Sequence, residues 1–496
     1  MANERFAFPR SELRSRAARG AIINGAFLIA VESLGVVQAV VVARLLDADQ
    51  VGLYGIVSVT VMTLLSLKQI GIDEAFVQQE QEDQVEAFQH AFTLDLALSA
   101  GFALMTAALA PLVGSLYGDS SLVPLMLALS LLPILFALQA PAWVFLRRMD
   151  FVRQRALQAI VPAVTLIATV AALLADLGAW SLVIGALTGN AAAAVMAAVI
   201  SPYPLRIKLH GKAARRYLTF SAPIFLAAVC GLMIRQGQTF AFEAKLGLAG
   251  VGYLTLAVTL TRYADRADQL ITQTIYPAIC AIADKPARMA EAFEKSNRLT
   301  AMWALPFGAI LALFTPDLIA HALGEKWIPA TALIQLIGVS TAIYQLGFNW
   351  TAFHRAVGRT RPQTVYAIAG LFAFLAAPLP LLLAFGASGF GWGLFAVNIV
   401  AGGLRWAYMR NLLPSVRIAR LAGRAFVPPL LACVPVICWR LFEGSDPRDL
   451  AVSLAQLVLY VAAYVALTIT LERRLLNEAL SYVRTRGLAP TPTAGT

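Results

Sequence analysis

Charge is what this sequence has least of. Only 14% of its 496 residues are Asp, Glu, Lys or Arg, against 59% hydrophobic residues and a mean hydropathy of +0.72. Soluble domains carry about 25% charged residues, so there is too little polar side chain here to cover a folded surface in water. Cysteine is also scarce. Cys230, Cys280, Cys433 and Cys438 lie in or beside apolar runs without a CxxC pair, which removes a disulfide framework and a cysteine metal site. Histidine is limited to His90, His210, His321 and His354, scattered and without metal-ligand spacing, and no glycine-rich phosphate loop follows a strand. No long polar segment exists either, the longest being residues 68–90. An enzyme lacks its residues, ATP hydrolysis lacks a domain, and no metal or other cofactor is expected. A cleavable signal peptide is not expected, because the first apolar run is far longer than an h-region and no small-residue cleavage site follows it.

What fills the chain is apolar run after apolar run. A hydrocarbon core of about 30 Å takes about 20 apolar residues per helix, and fourteen such runs occur, among them residues 20–46, 51–67, 217–240, 248–282, 365–385 and 389–408. The expected fold is an all-α polytopic membrane protein of about fourteen spanning helices. The basic excess, +11 from 39 Lys and Arg against 28 Asp and Glu, sits in short loops, so it marks the cytoplasmic side and not a nucleic-acid partner. With the N-terminus placed inside, 31 of the 39 basic residues are cytoplasmic, Arg405 counted among them, five are outside and three fall within spans. Both termini are then cytoplasmic and the protein is multi-pass.

Sliding the chain by 200 residues pairs Gln38 with Gln238, Leu46 with Leu246, Val51 with Val251, Gly52 with Gly252 and Gln69 with Gln269. That offset spans six helices, so the second copy enters the membrane from the same side as the first, a design known in transporters with the substrate site between the halves. The expected organisation is a basic N-terminus over residues 1–19 and a six-helix bundle over 20–200. A linker over 201–216 and a second bundle over 217–409 follow, then two further helices over 410–471 and a tail over 472–496.

Charges within a span are rare unless they face a cavity or a partner. Arg262, Asp265, Arg266, Gln269 and Gln273 stand at i, i+3, i+4, i+7 and i+11, one face of a helix, when residues 248–282 are read as one helix with a polar middle. Two guanidiniums and two amides on one stripe suit a diphosphate and sugar hydroxyls. The same cluster would equally serve as a self-satisfied ion-pair network joining the halves. Arg235, in the seventh span, is a further cation for an anionic substrate, or it snorkels to the outer interface. Glu32, mid-span in the first helix, and Asp265 are the candidates for ion coupling, with a structural ion pair as the alternative.

Two stretches resemble a known family. ARLLDADQVGLYGIVSVTVMTLLSLKQIGIDEAFVQQE, from Ala43 to Glu80, resembles the first-half signature of bacterial polysaccharide and oligosaccharide flippases. Phe242 to Phe293 resembles their second-half signature, with Leu246, Gly247, Gly252, Tyr253 and Pro277 at the characteristic positions. The resemblance is to the polysaccharide transporter family of the multidrug, oligosaccharidyl-lipid and polysaccharide exporter superfamily. It implies two pseudo-symmetric six-helix bundles plus two C-terminal helices working by alternating access in the bacterial inner membrane. The implied substrate is an undecaprenyl-diphosphate-linked oligosaccharide, an O-antigen or exopolysaccharide repeat unit, with membrane lipids and a polysaccharide polymerase or glycosyltransferases as further partners. The sequence departs from the family pattern where Gln238 replaces a frequent aspartate and where the Arg262 to Asp268 cluster replaces a frequent proline. A cation-coupled multidrug exporter of the same fold, and more remotely a membrane glycosyltransferase or polymerase, are the other readings. The last would require a large outer loop, and every outer loop is short.

Overall fold

The computed structural model describes residues 27, 30–68, 72–73, 76, 83–148, 150–208, 222–265, 279–280, 282–359, 361–444, 448–473 and 477. The all-α class expected from composition is what it has, and no strand occurs among the described residues. The helices are α1 (30–45), α2 (Ala48–Lys68), α3 (Gln84–Leu116), α4 (Leu122–Leu129), α5 (Leu132–Ala137), α6 (Pro141–Arg147), α7 (Phe151–Leu174) and α8 (Trp180–Ile200). They continue as α9 (Ala222–Thr261), α10 (Pro286–Leu318), α11 (Thr331–Tyr344), α12 (Trp350–Ala356), α13 (Arg361–Ala376), α14 (Pro378–Leu412), α15 (Ile418–Glu443) and α16 (Leu450–Leu471). Among the described residues eleven helical segments are long and apolar enough to cross a membrane, taking α4 to α6 as one. Prolines explain that interruption, since Pro133 and Pro141 each open a new helical turn at a position where the missing N–H costs nothing.

Two of the eleven double back. In α9, Gly247 has φ 69° and ψ −168°, outside helical space, and a Cβ on Gly250 would lie 3.2 Å from the Phe242 carbonyl oxygen. Residues eight apart in a straight helix are about 12 Å apart along the axis, so the chain reverses at Gly247. In α14, Gly386 has φ 69° and ψ −151°, and a Cβ on Gly389 would collide with the Leu381 carbonyl. Both turns read G-x-x-G: the first glycine takes a backbone conformation closed to other residues and the second lets the returning arm approach. Up to residue 265, the described parts of the expected spans 217–240 and 248–282 are thus the two arms of α9, the second running on into residues 262–265. The spans 365–385 and 389–408 are α13 with the first arm of α14, and the second arm of α14.

The described residues sort into two compact units, one made of residues up to Gln38, Val61–Ala222 and from Glu472 on, the other of Ala39–Thr60 and Pro223–Leu471. In the first, Asp83 caps α3 by accepting from the amides of Val85 and Glu86, both at 3.0 Å. The pair α7 and α8 closes through a G-x-x-x-G stripe, with Gly185 against Thr169 and Gly189 against Thr165, where any added methyl would collide. Gln139 donates to Asn190 Oδ1 at 3.2 Å, and Lys68 pairs with Asp95 at 3.0 Å with both side chains at most 10% exposed. A charge so buried needs that partner.

The second unit contains a reciprocal crossing. A Cβ on Gly52 of α2 would strike the Leu248 carbonyl, and a Cβ on Gly252 would strike the Ala48 carbonyl. Since 248 is 48 plus 200 and 252 is 52 plus 200, the contact is self-complementary under the internal offset, as across a two-fold axis. Nearby, buried Trp327 donates to the Ala43 carbonyl at 2.7 Å and Lys326 to that of Arg44 at 3.2 Å, satisfying orphan carbonyls in the last turn of α1. The helices α15 and α16 pack on α10, where Tyr464 donates to the Met302 carbonyl at 2.7 Å and Tyr460 to the Pro306 carbonyl at 3.3 Å.

Candidate functional site

The second arm of α9 carries the first of the expected site residues. It stays α-helical to Thr261 and then tightens into a 3-10 turn over Arg262–Asp265. The expectation of one uninterrupted α-helix with a polar middle is therefore corrected at Arg262. A 3-10 turn advances about 120° per residue instead of 100°, so the helical stripe does not run through it at α pitch. The Arg262 side chain is exposed, with its guanidinium 5.6 Å from the Tyr263 ring centroid, and it lies within electrostatic reach of Tyr54 on α2. Tyr263 is buried, and its carbonyl accepts from Trp303 Nε1 of α10 at 2.9 Å, which holds the turn.

Arg235 lies on the first arm of the same hairpin and is exposed. Counted from the turn at Gly247, Arg235 is about 18 Å and Arg262 about 22 Å down their respective arms. The reversal thus brings to similar depth two cations that the sequence separates by a turn. The backbone of Asp265 ends the 3-10 turn. Its side chain, and all of Arg266, Gln269 and Gln273, lie outside the described residues. Glu32 sits on α1 in the first unit, half-buried and engaged with other groups.

Other buried charges escaped the sequence reading. Arg405, counted there with the cytoplasmic loops, is 3% exposed inside α14. Its Nε donates to the Tyr366 hydroxyl at 2.9 Å, its Nη1 to the Tyr344 carbonyl at 2.6 Å, and its guanidinium lies 3.6 Å from the Tyr344 ring centroid. The signal was present: Arg405 falls within the apolar run 389–408 and not after it. Asp317 of α10, which is not among the expected site residues, pairs with Arg440 Nη2 of α15 at 2.7 Å and Arg448 Nη1 at 3.6 Å and accepts from Ser453 Oγ of α16 at 3.0 Å. Arg440 and Arg448 are two of the five basic residues that the charge count places outside.

Helical spans, prolines within helices and charges held at depth define a polytopic all-α membrane protein, and comparison with known proteins makes that more specific. Residues 41–332, over half the chain, match the family described as polysaccharide biosynthesis protein. The chain belongs to that family. It is similar to the succinoglycan biosynthesis transport protein ExoT of Rhizobium meliloti (strain 1021), 22% identical over 477 residues, covering 90% of this chain and 91% of that one. Among solved structures it shares a fold with the lipid II flippase MurJ in an inward closed conformation, at a TM-score of 0.69, 12% identity, and coverage of 92% of this chain and 100% of that one. It also shares a fold with an inward-facing multidrug resistance MATE family transporter of the MOP superfamily, at a TM-score of 0.64, 14% identity, and coverage of 79% and 95%.

Proposed function

We propose that this chain turns a lipid-linked saccharide from the cytoplasmic to the outer leaflet of a bacterial inner membrane, as a transporter and not an enzyme. The observation that carries this reading is membership in the polysaccharide biosynthesis family on a fold shared with a lipid flippase. The chemistry of the α9 hairpin agrees with it. Arg235 and Arg262 offer bidentate donors at similar depth to a diphosphate, with Arg266 joining them and Gln269 and Gln273 meeting sugar hydroxyls. Undecaprenyl diphosphate is the carrier this reading assigns, with its chain left in lipid. Two six-helix bundles over residues 20–200 and 217–409 would rock about the site, and Glu32 and Asp265 would couple the cycle to an ion. A polymerase or glycosyltransferase would act on either side of the step.

The test is flipping in liposomes reconstituted with the full chain and a fluorescent prenyl-diphosphate saccharide, read by access of an impermeant quencher. Wild-type protein is expected to expose the inner-leaflet pool well above the rate in empty liposomes, and Arg266→Gln and Arg235→Ala/Arg266→Ala to lose that activity. A wild-type rate equal to that of empty liposomes, with organic dye cations moved instead, would hand the fold to the cation-coupled multidrug reading.

A further inference from the structure

Within the second unit, α9, α12, α13, α14 and the C-terminal end of α11 enclose a cavity of about 490 Å³. Its long walls are α13 from Gln363 to Phe374 and α14 from Leu394 to Arg405. Each wall runs eleven positions, about 16 Å of helix. The walls are antiparallel, with Arg405 bonded to Tyr366 near one end and Phe374 facing Phe390, 6.5 Å between ring centroids, at the other. The slot is therefore polarised along its length: Arg405, Gln363 and Thr351 at one end, Phe374, Leu394 and Pro378 at the other. Val400, 70% exposed in the middle of a spanning helix, stands on its rim. The slot is thus open at its side, beside Val400.

Arg405 decides what such a slot takes. The aromatic rings around it attract a cation but do not neutralise one. Among the described residues no ion pair is formed by it, and its two side-chain hydrogen bonds leave from Nε and Nη1. A buried guanidinium in that state is costly, and an anionic oxygen arriving on Nη2 would offset the cost while a linear chain fills the apolar end. The geometry points to a binding site for one anionic amphiphile, an alkyl or prenyl phosphate, with its head on Arg405 and its chain along α13 and α14. This site does not depend on the transport reading. The shared chemistry has two sources, a bilayer phospholipid or a prenyl phosphate carrier.

Equilibrium binding of radiolabelled dodecyl phosphate to the full-length protein in a neutral maltoside detergent tests it, with dodecanol as the uncharged comparison. Saturable binding of one dodecyl phosphate per chain is expected, at least tenfold tighter than dodecanol and at least tenfold weakened by Arg405→Gln. Gly370 lines the slot and a Cβ there meets nothing within 4 Å, so Gly370→Phe fills the cavity without touching Arg405 and is expected to abolish binding while the protein stays folded. Dodecanol bound as tightly as dodecyl phosphate, or full binding by a folded Gly370→Phe variant, overturns the proposal. Competition separates the sources: displacement by phosphatidylglycerol or by decaprenyl phosphate supports the site and names its ligand, and displacement by neither overturns it.

Discussion

Asp317 holds three side chains from the last two helices and the link between them, Arg440, Arg448 and Ser453, while only 7% exposed. Removing the carboxylate's charge leaves two guanidiniums facing an amide, and breaking a buried pair in this way costs about 3–5 kcal/mol. Asp317→Asn is therefore expected to lower the thermal unfolding temperature in detergent sharply, and an unchanged melt would show that the pair adds nothing to stability. His354 shows the same physics on a titratable ring just beyond the tenth expected span. Burial, with Arg359 nearby, pushes its pKa below the ordinary value, although Nδ1–H donation to the Trp350 carbonyl at 2.9 Å pulls the other way. The folded state binds the proton less readily than the unfolded one, so the contribution is whole above about pH 6.5 and is lost as pH falls through the folded pKa. Melting temperature should drop on acidification below about pH 6.5, and His354→Asn should flatten that part of the curve.

At the scale of elements, prolines and glycines carry the architecture. Proline within a helix frees the carbonyl four residues earlier, and in α10 Pro306 and Pro316 free those of Met302 and Ala312. Both are satisfied by neighbouring helices, through the Tyr464 hydroxyl at 2.7 Å and Gln335 Nε2 at 2.7 Å. A helix defect becomes a docking point, which is how α16 and α11 find their places on α10. Tyr464→Phe is expected to cost about 1–3 kcal/mol, and less in a Pro306→Ala background where the backbone recovers its own bond. Equal costs in both backgrounds, measured as a double-mutant cycle of melting, would break the link between proline and tyrosine. Glycine acts differently. Gly247→Ala must force a side chain into a conformation that costs about 1–3 kcal/mol, and Gly52→Val or Gly252→Val must separate two backbones in contact, at about 1–3 kcal/mol for overpacking. All three should reduce folded yield from the membrane, and wild-type yield from either valine variant would contradict the crossing.

For the whole molecule, the distribution of Lys and Arg makes a topological prediction. Single cysteines placed in a cysteine-free background at Ser201 and Arg359 should label only from the cytoplasmic side, and at Asp119 and Gly444 only from outside. The reverse pattern would invert the orientation. Much of this level was legible in residue order. Helical spans announce themselves because a hydrocarbon solvent demands unbroken apolar runs, and the break expected between residues 240 and 248 holds Gly247, whose backbone angles glycine accepts most readily. The pairing of Gly52 with Gly252, one of five matches at an offset of 200, coincides with a close backbone approach at these two glycines. Less legible was which charges share a place. The i, i+3 spacing of Arg262 and Asp265 assumed α pitch where the backbone tightens to 3-10, and Arg405 was assigned to a loop because it stands three residues from the end of an apolar run. Periodicity and hydropathy depend on neighbours within a few residues, so the all-α class and the apolar spans follow from residue order alone. The cage of Tyr344 and Tyr366 around Arg405, and the hold of Asp317 on two distant arginines, join residues up to 131 positions apart, and only the packing of one helix on another brings such partners within hydrogen-bond range.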